Sequence, residues 1–269
     1  MSNIHFGVQT YSWQMSYEKY RGKISHIAGI GKQAGFTGME AEVCMLDNLF
    51  PDVEQVKSIM ADNQMTFCAL ALPLNWLNSK ETSDEKALAD KAISFVKAMG
   101  GCKLILCHLP QADRNDLEQR QKNQIACITE IARRAADAGV ISGFHPNSSY
   151  GSAFRTREDY SILLDGIANT PLGFAPDAGH IAHGDMDPLA LIREYHEKVV
   201  HVHFKDMAAD GTWRSMGKGC IDFPGIVSYL DQINYQEWIM VEEESSDAAI
   251  DPDKVTLANG EYIKGININ

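Results

Sequence analysis

The stretch His201-Val202-His203-Phe204-Lys205-Asp206 places two histidines two residues apart at the end of an apolar run. In a β-strand, residues two apart share one face, so His201 and His203 should point into the same space. Val202 and Phe204 would then pack behind them. A histidine pair on one strand is more often structural than functional, so its meaning depends on the rest of the chain.

Three other apolar, strand-like runs also end on a residue that can bind a metal or move a proton. They are residues 141–145, ending at His145, residues 172–177, ending at Asp177, and residues 238–242, ending at Glu242. A fold that gathers strand ends in one place would bring these side chains to the histidine pair.

Apolar strand-like segments alternate with segments of helical spacing along the chain. Besides the histidine strand, the predicted strands cover residues 4–10, 36–41, 65–72, 103–107, 140–144, 172–175 and 237–241. The predicted helices cover residues 20–34, 52–63, 84–99, 117–138, 157–167, 188–196, 223–233 and 252–263. Gly35 is a stop signal, Thr156 with Asp159 forms a capping-box pattern, and Pro188 suits a first helical turn.

This pattern predicts the fold class. Strands that read as continuous apolar runs are typical of parallel strands covered by helices. Eight strand-helix pairs in 269 residues predict a single-domain α/β protein, a (β/α)8 TIM barrel covering residues 1–269. A doubly wound open sheet is the alternative, but no GxGxxG follows the first strand and the sequence contains no P-loop.

Composition excludes several function classes. The chain has 24 Lys and Arg against 36 Asp and Glu, a formal charge of −12, without any strongly basic run. This argues against a nucleic-acid or anionic-membrane partner. Six cysteines without a CxxC pair predict reduced thiols. The sequence shows no signal-peptide pattern and no run of membrane-spanning length, so we expect a cytoplasmic protein.

In a TIM barrel the carboxyl ends of all strands meet at one mouth, where active sites lie. The residues predicted at these ends are, in chain order, Trp13, Glu40, Leu72, His108, His145, Asp177, His203 and Glu242. Imidazole and carboxylate groups without a thiolate suit a divalent cation such as Mn²⁺, Mg²⁺, Co²⁺ or Zn²⁺. We therefore predict Asp177, His203 and Glu242 as metal ligands.

Four motifs resemble the xylose isomerase-like barrel superfamily of sugar isomerases and epimerases. They are Asp177-Ala-Gly-His180, the histidine stretch, Gly217-Lys-Gly-Cys-Ile-Asp-Phe-Pro224 and Trp238-Ile-Met-Val-Glu242. Within that superfamily they are most similar to the inosose dehydratase branch. C-glycoside deglycosidase catalytic subunits, which work with a small partner chain, are also similar. The fold pattern covers nearly the whole chain, whereas the motifs match from about residue 140 onward.

The resemblance implies a divalent metal, Mn²⁺ first, with Mg²⁺, Co²⁺ or Zn²⁺ as alternatives. It places Asp177, His203 and Glu242 among the ligands and His180 in contact with substrate. Where epimerases of the family have a glutamate after the fifth strand, this chain has His145, as the dehydratase branch does. His145 is therefore a candidate fourth ligand or catalytic base, and both roles stay open.

The implied reaction removes the proton next to a ketone of a sugar or cyclitol, with His145 or Glu242 as the acid-base group. Lys205 or His180 would stabilise the enediolate. The enediolate then expels the group on the β carbon, as in a lyase, or is reprotonated, as in an isomerase or epimerase. Because two-faced epimerisation in this family uses two carboxylates, His145 favours elimination.

Four further residues are predicted to contact substrate: Glu40, His108, Trp13 and Arg214. We expect a keto-sugar, keto-glycoside or cyclitol substrate and a homo-oligomer, with a small partner subunit as in the deglycosidases as a further option. A nuclease of this superfamily would need a basic face and more metal ligands. A non-catalytic scaffold would leave the charged cluster without its cation, which is costly.

Overall fold

Eight parallel strands form the centre of the molecule. The computed structural model describes residues 4–266. The strands are β1 (His5–Gln9), β2 (Gly38–Glu42), β3 (Thr66–Leu74), β4 (Lys103–His108), β5 (Ser142–His145), β6 (Gly173–Phe174), β7 (Val202–Phe204) and β10 (Trp238–Val241). They follow one another in the order β6-β5-β4-β3-β2-β1-β10-β7, and every pair is parallel. Two further strands, β8 (Asp206–Met207) and β9 (Trp213–Arg214), form a separate antiparallel hairpin.

The two ends of this sheet meet at a seam between β6 and β7. Isolated parallel bridges pair Phe174 with Val199 and Asp177 with His203 across it. The N–H of Val200 donates to the carbonyl of Phe174 at 2.9 Å, and the N–H of His203 donates to that of Pro176 at 2.8 Å. The strands therefore close on themselves, which confirms the predicted (β/α)8 barrel over the open-sheet alternative.

Eight longer helices surround the barrel within residues 4–266. They are α3 (Ile24–Ala34), α5 (Val53–Asp62), α6 (Ser83–Met99), α7 (Leu117–Asp137), α8 (Arg157–Ile167), α10 (Pro188–Glu194), α11 (Phe223–Gln232) and α13 (Pro252–Lys264). The predicted signals act as expected: Gly35 ends α3 with φ 96°, and Thr156 and Asp159 form the capping box of α8. No helix in this part of the chain combines the length and apolarity needed to cross a membrane.

Short helices between the main elements were not predicted. They are α1 (Tyr11–Gln14), α2 (Tyr17–Tyr20), α4 (Val43–Leu46), α9 (Ala178–His183) and α12 (Ser246–Ile250), together with 3-10 turns at Asp47–Leu49 and His196–Lys198. Helices of one turn have too few residues to show helical periodicity. One consequence concerns Trp13, which we expected at the end of the first strand. It lies in α1 instead, because Thr10 has helical angles and its carbonyl accepts the N–H of Trp13 at 3.0 Å.

The third strand was also predicted to stop at Pro73. The structure continues β3 to Leu74, with Pro73 paired to Cys107 and Leu74 to His108. A proline near the end of a strand costs only the hydrogen bond of its missing N–H, so the strand can include it.

Close packing at the seam depends on glycine. A Cβ atom on Gly173 would lie 2.5 Å from the side chain of Val200, and one on Gly143 would lie 2.9 Å from the same side chain. Val200 therefore fills the space that side chains on β5 and β6 would otherwise need.

Replacing Gly173 with alanine should lower the free energy of unfolding by about 1–3 kcal/mol, the usual cost of overpacking a tight core. Gly29→Ala in α3 is the matched control, since its Cβ would come no closer than 3.4 Å to another residue. That change should be neutral or stabilising by up to about 1 kcal/mol, because alanine favours helix. Urea unfolding midpoints measure both, and equal shifts would contradict the packing argument.

Candidate active site

The carboxyl ends of the barrel strands surround a polar cavity of about 240 Å³. Its wall includes seven carboxyl and imidazole side chains: Glu40, Glu42, His108, His145, His180, Glu242 and Glu244. These come from the ends of β2, β4, β5 and β10 and from α9. The cavity wall thus contains four of the eight residues that the sequence placed at strand ends, namely Glu40, His108, His145 and Glu242, whereas Asp177 and His203 are buried and do not line it.

The floor of the site is a carboxylate held by two histidines. Oε2 of Glu40 lies 2.7 Å from Nε2 of His201, and Oε1 lies 3.0 Å from Nε2 of His203. Burial acts to raise the pKa of Glu40, but the charge and hydrogen bonds of the two histidines hold that pKa below its usual range. Burial lowers the pKa of His201 to about 4, so His201 is a neutral donor.

This arrangement sets the tautomer of His203. In the tautomer in which Nε2 donates its proton to Glu40, the lone pair of the imidazole lies on Nδ1. Nδ1 is buried and has no hydrogen-bond partner among the described residues. Glu40 is thus a positioning residue for His203, the role that second carboxylates play behind metal-binding histidines. His201 shares this carboxylate instead of entering the cavity wall.

A buried lysine lies at the centre of the mouth. Nζ of Lys205 is 2.7 Å from Glu242 Oε1 and 3.6 Å from Asp177 Oδ2, and it also pairs with Glu244. Burial favours the neutral amine, but these three carboxylates raise the pKa of Lys205 well above its usual value. Lys205 is therefore a fixed cation inside the site.

His180 connects this cation to the protein behind it. Nζ of Lys205 lies 3.0 Å from Nε2 of His180, and Nδ1 of the same ring lies 2.8 Å from Oγ of Ser148 and accepts the N–H of Ser148 at 3.3 Å. Burial and the charge of Lys205 lower the pKa of His180 well below its usual value. Trp213 of the β8–β9 hairpin packs edge-on against the same ring at 5.5 Å. His180 is therefore a neutral group with a fixed orientation.

Next to the lysine, several buried ligand atoms have no hydrogen-bond partner among the described residues. His145 Nε2 and Asp177 Oδ2 lie 3.5 Å apart, and neither makes a hydrogen bond within the described part of the chain. The ligand atoms of His145, His203 and Glu242 lie within 4.8 Å of one another, as do those of His145, Asp177 and His180. Buried polar atoms normally have partners, so this convergence indicates a missing positive group.

The donor set fits a divalent cation. Two imidazoles and two carboxylates without a thiolate match the ligands of Mn²⁺, Co²⁺ and Zn²⁺ sites. The neighbouring Asp177 carboxylate and Cys107 thiol raise the pKa of His145 well above its usual value, although burial opposes them. The local field around Asp177 therefore favours a positive charge at this position, which a proton on His145 or a metal ion can provide.

Two of the predicted substrate contacts line the cavity. Glu40 forms its floor, and His108 lies at the end of β4, stacked on Phe144 with ring centroids 5.8 Å apart. Burial, with the charges of His145 and Arg120 added, lowers the pKa of His108 to about 3. Neither ring nitrogen of His108 has a partner in the described residues. His108 is thus a neutral group with free hydrogen-bonding capacity.

The other two predicted contacts lie elsewhere. The indole of Trp13 is fully buried and donates to Asp253 Oδ1 at 2.6 Å, which ties α1 to α13. Arg214 is exposed on β9, opposite Asp206 in the hairpin. Neither residue lines the cavity, so their placement does not support the expected contact with substrate.

Several cavity residues were not predicted as part of the site, among them the following four polar ones. Glu42 closes β2, Glu244 follows β10, and Tyr11 and Gln14 come from α1. Glu42 was visible as a second acid at the end of the predicted strand. Glu244 reaches the mouth although β10 ends at Val241, because the chain turns there, and strand alternation alone could not show this.

Comparisons with known proteins agree with this architecture. The sequence profile of the family described as xylose isomerase-like TIM barrel matches residues 30–266. An inosose dehydratase from Clostridium beijerinckii is 28% identical over 264 residues, covering 86% of this chain and 85% of that protein. A 3-keto-D-glucoside 4-epimerase from E. coli has a TM-score of 0.75 at 16% identity, over 97% of this chain and 99% of that one. The IOLI protein with a bound zinc atom has a TM-score of 0.75 at 14% identity, over 97% and 96%.

Proposed function

Because the chain belongs to the xylose isomerase-like TIM barrel family, we propose that it is a divalent-metal-dependent enzyme that removes a proton next to a ketone of a sugar or cyclitol. Elimination of the group on the β carbon follows, which makes the enzyme a lyase. The inosose dehydratase relative supports this choice of substrate class and reaction.

One observation carries the proposal most directly. Asp177 Oδ2, His145 Nε2 and His203 Nδ1 are buried and have no hydrogen-bond partner within residues 4–266. The ligand atoms of His145 lie within 4.8 Å of those of Asp177 in one group and of those of His203 and Glu242 in a second group. These four residues would hold the cation. A divalent cation bound there would act as a Lewis acid for the ketone oxygen. Mn²⁺ is our first choice, with Zn²⁺, Co²⁺ and Mg²⁺ as alternatives.

The chain itself supplies the remaining groups. The ammonium of Lys205 places a fixed positive charge where negative charge develops on the substrate oxygen. The orientation of His180, set by Lys205 and Ser148, gives that oxygen a second polar neighbour. Glu242 or His145 would accept the proton from carbon, since both lie at the cavity wall next to the ligand atoms.

The alternative function is a keto-sugar isomerase or epimerase, in which the enediolate is reprotonated. The observation that favours it is the presence of further carboxyl groups, Glu42 and Glu244, at the cavity wall. In epimerases of the family a glutamate occupies the position of His145. Glu42 or Glu244 would take over its role and return a proton to the opposite face of the substrate. A cytoplasmic location, a homo-oligomeric state and a small partner subunit stay predictions.

The test is a reaction in D₂O with metal-loaded protein, 2-keto-myo-inositol and a panel of 3-keto-glucosides and ketoses. NMR follows deuterium at the carbon next to the ketone together with the products. We expect deuterium uptake and elimination, both abolished by chelation. Uptake with only an epimer or isomer as product would replace the lyase by the alternative, and no uptake with any substrate would refute the proposal.

A further inference from the structure

Four glutamates line the cavity, and one of them differs from the rest in its partners. Glu40 is held by two histidines, and Glu242 and Glu244 share the ammonium of Lys205. Glu42 makes no ion pair with any described residue. Its Oε2 accepts hydrogen bonds from Gln14 Nε2 at 2.9 Å and Cys44 Sγ at 3.7 Å, and Oε1 accepts none within residues 4–266.

The surroundings of Glu42 favour its protonated form. The residue is only 8% exposed, and the titratable groups that act on it are neutral or acidic: Tyr11, Cys44, Cys107, Glu40 and Glu242. Burial, together with the charges of Glu242 and Glu40, raises the pKa of Glu42 to about 7 despite the hydrogen bond from Gln14. Glu42 therefore keeps its proton up to about neutral pH.

Glu42 also lies across the barrel from the metal-binding side. In the closed barrel β2 is four strands from β6 in either direction, through β5, β4 and β3 or through β7, β10 and β1. Asp177 follows β6, and Glu42 ends β2. A substrate whose ketone lies toward Asp177 and Lys205 therefore presents its far side to Glu42.

We propose that Glu42 is the catalytic acid that protonates the departing oxygen on the β carbon of the substrate. This proposal rests on the lyase function proposed above. Hydroxide and alkoxide are poor leaving groups, and a positioned general acid typically accelerates such steps by about 10²–10⁴-fold. Epimerisation has no departing group and would not need an acid on this wall.

In this step the enediolate re-forms its C=O bond and a C=C bond forms between the α and β carbons. The β C–O bond breaks, and its electron pair stays on the oxygen. The O–H bond of Glu42 breaks, and its proton moves to that oxygen. Water or an alcohol leaves, and the carboxylate of Glu42 regains a proton from solvent in the cavity.

The variant Glu42→Gln tests the step in metal-loaded protein, because glutamine keeps the shape and can still accept from Gln14 and Cys44. Elimination should fall by about 10²–10⁴-fold, while deuterium uptake next to the ketone stays within a few-fold of wild type. With a substrate that carries fluoride on the β carbon, the variant should eliminate at close to the wild-type rate, since fluoride leaves without protonation. Glu130→Gln, in an exposed pair with Arg133, is the control and should leave both rates unchanged.

The pH profile provides a second readout. Elimination by the wild type should decline as pH rises through about 7, where Glu42 loses its proton, and Glu42→Gln should lack that decline. A carboxyl whose folded pKa lies above its ordinary value of 4.5 stabilises the fold at low pH. This stabilisation relative to Glu42→Gln should be lost as pH rises from about 4.5 to about 7, which thermal melts measure without any substrate.

These readouts separate the two proposals. Unchanged elimination in Glu42→Gln, or equal loss of uptake and elimination, would overturn the acid role and leave the lyase standing. Uptake without elimination in the wild type would overturn both. If no substrate reacts, only the proposed function fails. In that case the thermal melts decide on Glu42: a stability difference between wild type and Glu42→Gln that does not change with pH would overturn the assignment of the proton to Glu42.

Discussion

Lys205→Met should reduce turnover by about 10²–10³-fold, the usual effect of removing one group that stabilises a developing oxyanion. Methionine approximates the lysine side chain in shape, so the main change is the loss of a charge. Removal of that charge leaves Asp177, Glu242 and Glu244 as neighbouring buried acids without their cation. Breaking a buried ion pair from one side typically costs about 3–5 kcal/mol of folding stability.

A matched control separates burial from pairing. Lys122 lies 2.6 Å from Glu118, much the same distance as Lys205 from Glu242, but its side chain is 65% exposed, whereas that of Lys205 is 1% exposed. Lys122→Met should therefore change stability by less than about 1 kcal/mol and leave turnover unchanged. Steady-state kinetics and urea unfolding measure both variants. If Lys205→Met keeps turnover within tenfold of wild type, the role of its ammonium in the reaction is wrong.

Asp177→Asn should abolish measurable turnover and weaken binding of the divalent cation by at least about 100-fold. This exceeds the usual loss of metal affinity when a carboxylate that only supports a ligand is removed. Asparagine removes the charge of the unpartnered Oδ2. Oδ1 of Asp177 accepts the N–H of His180 at 2.8 Å as the N-cap of α9, and an asparagine oxygen can do the same. The fold should therefore survive while the ligand is lost.

The control for this change is Asp222→Asn. Asp222 is the exposed N-cap of α11 and accepts the N–H of Gly225 at 3.0 Å, so the same substitution alters a cap far from any ligand. Metal content by mass spectrometry and affinity by calorimetry should change only in Asp177→Asn. Equal metal affinity in wild type and Asp177→Asn would remove Asp177 from the ligand set.

The sequence predicted the parts of the site that follow from strand geometry. His145, His203 and Glu242 lie at or next to strand ends, and Asp177 follows a strand that is easily recognised from its apolar run. The barrel fold then brings these ends together, so their convergence needs no knowledge of side-chain contacts. The same reasoning placed Glu40 and His108 at the mouth, where the structure has them.

Residues whose role depends on contacts between distant segments were harder to predict. Nothing in the sequence shows that Lys205 pairs with Glu244, or that Glu40 binds both histidines, because these partners are separated by 39 and more than 160 positions. Trp13 was misplaced because α1 has only four residues. The raised pKa of Glu42 is equally hard to predict, since it results from burial and from the nearby charges of Glu242 and Glu40.

The seam between β6 and β7 contributes both to the candidate active site and to the closure of the barrel. Asp177 and His203 form an isolated backbone bridge across the seam, and both also contribute to the ligand cluster. A substitution that shifts the backbone of Asp177 or His203 therefore also changes how the barrel closes at the seam. On the opposite wall, β1, β2 and β3 are joined by strand ladders, so no isolated bridge there holds the barrel closed.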